Sequence, residues 1–416
     1  MTQTNEASAS AQITCSASPE FYAWLAQSGG SLVLSTYQAG KVALIGTDDR
    51  QVTLLMREFD KPLGMAIQGN RLALATRYWV GIFANAPLLA RDYLEDQPGK
   101  YDGLFLPRTS YHTGDLHIHD VVFQGDDLLF VNTRFSCLAR PSHDHNFEAV
   151  WRPKFVSDLV PEDRCHLNGV AMVSGKPKYV TALGTTDSPG AWREKKATGG
   201  VVVDVETDEI LLDGLAMPHS PRWHNGNLWL LNSGAGELLV MDPASGRRDV
   251  VCRLPGYLRG LCFVGPFALV GMCKIREKHL FGGLPIQQRV ARLACGVAAV
   301  DLRTGGVVAQ FEFASGCEEL YDVLFLAGIR RGTILNLEKP AVREAVTNPD
   351  SSYWLRPSRE RPVETPSEAS IMRDDAGTGS APETNQADID QNGAPRLPSA
   401  IQDAGVRSES TSLSDS

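Results

Sequence analysis

Pro221-Arg222-Trp223-His224, Asn225-Gly226 and Leu228-Trp229-Leu230-Leu231-Asn232-Ser233 form the stretch that decides the fold. Two short apolar runs flank an Asn-Gly pair, the strongest short-range signal for a two-residue hairpin turn. Two more runs follow at once, Glu237-Leu238-Leu239-Val240-Met241-Asp242 and Asp249-Val250-Val251-Cys252-Arg253-Leu254. Four strands within roughly 40 residues is the period of a propeller blade.

Working outward, the same unit repeats along the chain. First strands begin near Gly64, Asp120, Gly169, Pro221, Gly260 and Asp322. Each of the first five is followed by a tight turn: Gly69-Asn70, Gly125-Asp126, Gly175-Lys176, Asn225-Gly226 and Gly265-Pro266. Near the N-terminus, residues 31–37, 41–47 and 51–59 read as second, third and fourth strands with no first strand before them. Residues 321–326 read as a first strand with little after it. Joining these ends completes a ring and removes the open sheet edge. The expected fold is therefore an all-β, six-bladed β-propeller, closed by N-terminal strands pairing with the C-terminal inner strand. Its expected extent is residues 19–339, between a disordered N-terminus (1–18) and a disordered acidic tail (340–416). Residues 332–337 also read as a strand, either competing for the second place of the last blade or pairing outside it. Ser18 and Pro19 signal a short helix over 19–25, with Ser18 as its N-cap and Gly29-Gly30 as its stop.

In an up-and-down blade, second-to-third loops and blade-to-blade links lie on one face of the ring. The long insertions, near 87–116, 154–167, 184–199 and 274–294, are all assigned to that face, and long loops on a rigid scaffold are where binding groups gather. The same face receives the lead-in to each first strand: Lys61-Pro62-Leu63-Gly64, His117-Ile118-His119-Asp120, His166-Leu167-Asn168-Gly169, Pro218-His219-Ser220-Pro221, Tyr257-Leu258-Arg259-Gly260 and Glu319-Leu320-Tyr321-Asp322. Because side chains alternate along a strand, residues two apart share a side, and two polar tiers around one mouth follow.

Four of the 9 histidines fall in these lead-ins. His117, His119, His166 and His219, converging from separate blades, are candidate ligands for a divalent transition metal, with Glu319 or Asp322 completing the shell. The competing reading is a polar, water-filled channel whose side chains satisfy backbone groups. Arg222 and Arg259, with Tyr257 and Tyr321, are candidates to clamp a carboxylate or phosphate through the guanidinium fork; the competing reading pairs them with Asp120, Glu318, Glu319 or Asp322. Asn168 completes the candidate ligand-binding set. In a catalytic version, His119 or His166 is the acid, base or ligand and Arg259 the electrostatic stabiliser.

Other features are less specific. Ser142-His143-Asp144-His145 falls at a third-to-fourth turn on the opposite face and reads as a solvated loop. Residues 274–294 mix Lys274, Arg276, Lys278, His279, Arg289 and Arg292 with Phe281 and Leu284, which suits either a cationic lid or a short helix on the rim. Trp192, beside Arg193 and Lys195, is the tryptophan best placed for a ligand. No GxSxG elbow, Walker loop or HExxH is present.

Of the 416 residues, 43% are hydrophobic, which excludes disorder of the whole chain. No run of about 18 apolar residues is present, so no spanning helix is expected, and residues 1–18 lack the pattern of a secretory signal. The net charge of −9 divides unevenly: residues 357–416 hold 11 acids against 5 bases, leaving 38 against 35 elsewhere. A nearly balanced body carries no phosphate-binding basic face, so neither nucleic acid nor membrane is an expected partner. The 8 cysteines form no CxxC pair and read as reduced, small core residues of a cytoplasmic protein.

Ser35-Thr36-Tyr37-Gln38-Ala39-Gly40, Gly114-Asp115-Leu116-His117, His166-Leu167-Asn168-Gly169, Ser220-Pro221-Arg222-Trp223-His224, Gly256-Tyr257-Leu258-Arg259-Gly260-Leu261 and Glu318-Glu319-Leu320-Tyr321-Asp322-Val323 together resemble a bacterial conserved-hypothetical family that carries a domain-of-unknown-function label. The resemblance covers about residues 21–336 and implies a propeller-like body. The functional expectation is a protein that binds, and in one version transforms, a small polar or anionic molecule at the central mouth. A non-catalytic scaffold, meeting a protein partner through the rim or tail, is the alternative.

Overall fold

The computed structural model describes residues 13–274 and 282–356. Six sheets, each built on four antiparallel strands, follow one another in chain order. Blade 1 comprises Met65–Gln68, Arg71–Ala75, Trp79–Asn85 and Gly103–His112. Blade 2 is Ile118–Gln124, Asp127–Asn132, Cys137–Arg140 and Glu148–Trp151; blade 3 is Leu167–Val173, Lys176–Ala182, Gly200–Asp204 and Ile210–Leu215. Blade 4 is Pro218–His224, Asn227–Asn232, Glu237–Met241 and Arg248–Arg253; blade 5 is Tyr257–Val264, Phe267–Cys273, Gly296–Asp301 and Val307–Ser315. Blade 6 joins Asp322–Ala327 to Gly30–Thr36, Lys41–Thr47 and Val52–Glu58. First strands contact one another in order, and the sixth returns to the first. This is a six-bladed β-propeller, closed as expected: Ser31 faces Leu326 and Ser35 faces Asp322 across the joint.

Local chemistry explains the blades. Asn225 and Gly226 both have positive φ, 48° and 76°, as a type I′ turn requires. Between blades, apolar side chains interdigitate. Val33, Leu44, Leu74, Phe83 and Phe105 pack blade 6 against blade 1, and Leu129, Val131, Val170 and Val180 pack blade 2 against blade 3.

Several expectations need correction. The helix runs Phe21–Ser28, and Ser18 is not its side-chain cap: Ser18 Oγ accepts from Gln310 N at 3.3 Å, tying the chain to blade 5 instead. Gly29 does stop the helix, with φ 69°. Phe21 and Trp24 pack against Phe311 and Phe267. Thr14–Ala17, expected to lie outside the body, is a fifth strand on the outer edge of blade 5. Gly332–Ile334 pairs parallel with Gly103–Phe105, outside blade 6 and on the edge of blade 1. Ala341–Glu344 is a short helix, and Ala345–Thr347 pairs with Ser352–Trp354 in a small sheet that packs beside blade 1, so ordered structure extends past residue 339. Residues 1–12 and 357–416, and with them most of the expected disordered termini, lie outside the described residues.

The insertions do not all share one face. Gly103–His112 is the fourth strand of blade 1, which makes 86–102 a third-to-fourth loop on the face opposite the site. The segments 152–166 and 183–199, and the described residues 274 and 282–295, are on the expected face.

The innermost ring is the tightest part of the molecule. One equivalent place reads Gly64, Asp120, Gly169, Ser220, Gly260 and Asp322 around the six blades, glycine alternating with a polar side chain. A Cβ at Gly64 would stand 2.7 Å from the Asp120 Cα, and one at Gly260 would stand 2.6 Å from the Val323 nitrogen. The polar members accept backbone hydrogens from the next blade: Asp322 from Met65 N at 2.8 Å, Asp120 from Val170 N at 3.1 Å and Ser220 from Gly260 N at 3.0 Å.

Candidate functional site

Above that ring the lead-ins open into a cavity of about 560 Å³. Its floor and walls come from two tiers. The upper tier is His117, His166, Met217, Tyr257 and Glu319; the lower is Leu63, His119, Arg259 and Tyr321. Blade 4 is shifted by one residue from the expected alignment. Met217 has φ 51°, matching His117 and His166, and His219 Nδ1 lies 2.9 Å from Met217 O just as His119 Nδ1 lies 2.8 Å from His117 O. Met217 therefore takes the upper place and His219 the lower, where Pro218 and Ser220 were expected. The irregularity between His219 and Arg222 has counterparts in blades 2, 3 and 5, so the offset lies in the alignment itself. Ser220, not Pro221, is the equivalent of Asp120, Gly169 and Gly260, and a one-residue slip exchanges the two sides of a strand.

The expected residues separate into two groups. His117, His119, His166, Tyr257, Arg259, Glu319 and Tyr321 line the cavity. Asn168 does not: it is buried, donates to Pro218 O at 2.9 Å and accepts from Thr181 Oγ1 at 2.8 Å. Arg222 spans the channel below the mouth, bonding both oxygens of Asp120 at 2.7 and 3.2 Å and reaching within 3.8 Å of Asp322. Burial opposes its charge, but the two carboxylates outweigh that and raise its pKa. Asp322 is committed to the backbone hydrogens of Met65 and Val323. Burial, with Asp120 nearby, pushes its carboxyl up to about 7 against the pull of Arg222.

The expected metal shell is not assembled. Among the described residues, no three His, Cys, Asp or Glu side chains gather as a metal-holding group. His219 is buried beneath the wall, its Nδ1 shared by Met217 O and Ser233 Oγ. His117 Nε2 is turned to Arg134 at 3.0 Å and Asp115 at 3.3 Å. The two remaining rings do meet: His119 and His166 stand edge to face with centroids 4.8 Å apart. Burial, then the nearby His166 and Arg259, hold His119 well below the usual imidazole range, so its ring is neutral at pH 7.

Arg259 is the buried cation of the site. Its Nη1 bonds Glu319 at 2.6 Å, and its guanidinium lies 4.9 Å from the Tyr321 ring and 5.4 Å from the Tyr257 ring. Burial opposes its charge, and Glu319 outweighs it. Arg259 Nε and Tyr321 Oη are both buried without a hydrogen-bond partner among the described residues. Burial raises the pKa of both tyrosines, which keeps their hydroxyls protonated. Cys273 also lines the cavity, but its thiol donates to Leu320 O at 2.9 Å and burial raises its pKa, so it is wall and not nucleophile.

The loops supply residues that sequence reasoning missed. Asp163 accepts from His166 Nδ1 at 2.8 Å, from Trp192 Nε1 at 3.1 Å and from Arg193 Nη2 at 3.4 Å. Its signal was local, since it lies three residues before His166. Arg134 and Tyr37 also line the cavity; Tyr37 lies in the Ser35–Gly40 motif but is not among the expected site residues, and Arg134 lies in a turn outside the family motifs. Arg164 locks two loops together through Glu162 and Asp187, both at 2.8 Å. Of the expected lid, Lys274 lines the cavity, and Ile286–Arg289 is a short helix on the rim, with Arg289 donating to Ala235 O. Arg276, Lys278, His279 and Phe281 lie outside the described residues. The Ser142–His145 turn is on the opposite face, with both histidines exposed.

A family described as a domain of unknown function (DUF4915) matches residues 19–335. The chain belongs to the DUF4915 family. The match takes in every side chain that lines the cavity, from Tyr37 to Tyr321, and bears out the resemblance noted from the motifs. No curated protein matches. Among solved structures, a chain of a nidogen/laminin complex is similar at 11% identity and a TM-score of 0.47, with 72% of this chain and 99% of that one covered. The computationally designed Ika8 protein is similar at 10% identity and a TM-score of 0.32, with 68% and 80% covered. No described helix is long and apolar enough to cross a membrane.

Proposed function

We propose that this DUF4915 chain binds a small polar or anionic molecule in the propeller mouth. The observation that carries this reading is the cavity of about 560 Å³, which is within the range of small-molecule sites and brings Arg259, His119 and His166 together from three blades. Arg259 meets the ligand's negative charge, the two imidazoles meet its polar groups, and Trp192 and Tyr37 contribute flat apolar walls. Tyr257, Tyr321 and Glu319 hold the guanidinium in place. Arg222, Asp322 and Asn168 belong to the scaffold beneath.

Thermal denaturation of the full chain against a panel of small carboxylates and phosphates tests the proposal. A ligand present at about 100 times its Kd stabilises by roughly 2.7 kcal/mol, an easily resolved shift. The double variant Arg259→Met with Glu319→Met removes both charges together, so neither is left buried alone. Its expected outcome is a folded protein without the shift. A wild-type chain indifferent to every anion in the panel overturns the reading and leaves the non-catalytic scaffold.

A further inference from the structure

The protonation pattern around the mouth narrows the ligand class. His119 Nδ1 lies 2.8 Å from His117 O, and a carbonyl only accepts, so Nδ1 carries the hydrogen. Thr133 Oγ1, also 2.8 Å from that nitrogen, gives its own hydrogen to Leu167 O at 2.6 Å and is an acceptor as well. His166 Nδ1 faces both oxygens of Asp163, at 2.8 and 3.0 Å, and donates to the carboxylate. His119, held neutral by burial, therefore keeps its lone pair on Nε2, and so does His166 in its uncharged form; neither Nε2 has a hydrogen-bond partner among the described residues. Both rings line the cavity. The mouth thus presents two hydrogen-bond acceptors to its ligand, held in that tautomer by His117 O and by Asp163.

A ligand that satisfies them must donate. An ammonium group is disfavoured, because the lining sets Arg134, Arg193, Arg259 and Lys274 against Glu162, Asp163 and Glu319 and so offers an added cation no net negative charge. The nearby carboxylates are committed: Glu162 to Arg164, Asp163 to His166 and Trp192, and Glu319 to Arg259. A hydroxyl donates without adding charge. Tyr321 contacts both: its ring is 5.4 Å from the His119 ring and 4.9 Å from the Arg259 guanidinium. His119 and the cation therefore meet the same ring at the wall of one cavity.

We infer that the mouth takes a small hydroxycarboxylate, its one hydroxyl hydrogen given to His119 Nε2 or His166 Nε2 and its carboxylate set against Arg259. This rests on the mouth being a ligand site. Asp163 is a positioning residue, since it acts through the His166 tautomer. Calorimetric titration of the full chain with matched acids of two to six carbons, with and without a hydroxyl, tests it. The expected result is that a hydroxylated acid binds at least about tenfold more tightly than its deoxy partner, because the deoxy acid leaves the imidazole acceptors unpaired. Asp163→Asn offers His166 an amide and not an anion, releasing the tautomer. It is expected to shrink the ratio of hydroxylated to deoxy affinity without abolishing it, because His119 keeps its acceptor, and a general loss of structure does not move that ratio. Long-range proton–nitrogen spectra of the wild-type histidines provide a readout that needs no variant, with Nε2 expected unprotonated in both rings. Equal affinity for hydroxylated and deoxy acids overturns this inference and leaves the binding proposal standing, as does a spectrum showing hydrogen on Nε2 of both rings. If no carboxylate binds at all, both fall.

Discussion

Deleting one oxygen atom from the cavity floor should make this protein more stable. Tyr321 is 6% exposed, and its hydroxyl is buried without a hydrogen-bond partner among the described residues. A buried polar group left unpaired costs about 1–3 kcal/mol relative to its hydrated state. Tyr321→Phe removes that cost and keeps the ring, so the contacts with His119, Tyr37 and the Arg259 guanidinium persist. Unfolding entropy is about 2.1 cal/mol/K per residue. For roughly 340 ordered residues the total is about 0.7 kcal/mol/K, and each kcal/mol then moves the midpoint by about 1.4 °C. The expected rise in Tm is about 1–4 °C by calorimetry, with a matching increase in urea midpoint. A variant that melts more than about 1 °C lower than wild type shows that the hydroxyl has a structural partner, and the argument then fails. A stability gain from losing a polar atom marks that atom as retained for something other than folding.

Three further outcomes follow from the inner ring. Arg222→Met strands the buried Asp120 and Asp322 carboxylates without their cation and should cost about 3–5 kcal/mol in denaturant titrations; a loss under about 1 kcal/mol would mean that the triad is not closed. Gly64→Ala drives a methyl into the backbone of residues 119 and 120 and should cost about 1–3 kcal/mol, where an exposed strand glycine would tolerate the change. For Asp322, the folded-state pKa lies above the usual carboxylate value, so between about pH 4 and about pH 7 the folded chain keeps a proton that the unfolded chain has lost. Its contribution to stability therefore falls as pH rises through that window. Asp322→Asn should flatten the decline; parallel wild-type and variant curves between pH 4.5 and 7.5 would show that Asp322 is ionised throughout.

The blade count was legible because hairpin turns need residues of particular type, and Asn225-Gly226 and its counterparts punctuate the chain at even spacing. The closure was legible because three strands without a first and a first without successors leave one economical solution. The fourth strand of blade 1 was hidden by Pro107 and by its place after a long insertion. The blade 4 register was lost for a different reason: Ser220 stands where the other blades have Gly or Asp, so Pro221 reads as its equivalent and every lead-in residue moves by one. Histidines at the mouth were visible as a repeat-aligned set, yet their aptitude for metal depended on where each Nδ1 hydrogen goes. That is decided by carbonyls and by Asp163, which composition does not reveal. Arg259 carried its pairing partner in the aligned place, Glu319, whereas Arg222 reaches across the ring to a blade 102 residues away in sequence.

The alternation of glycine with Asp or Ser in the innermost ring gives the molecule a parity. Each polar member is bonded to the glycine-bearing blade that follows it, so the natural unit is a pair of blades, and three such pairs close the circle. Removing a single blade would set two glycines or two polar side chains against each other at one seam, leaving either a gap or a crowded contact. Removing or duplicating a pair preserves the sequence of partners. Chain growth and shortening in this architecture are therefore expected to proceed by twos, and new termini are best opened between pairs, at 113–117 on the link into blade 2 or its equivalents, only where the polar member stays with its glycine.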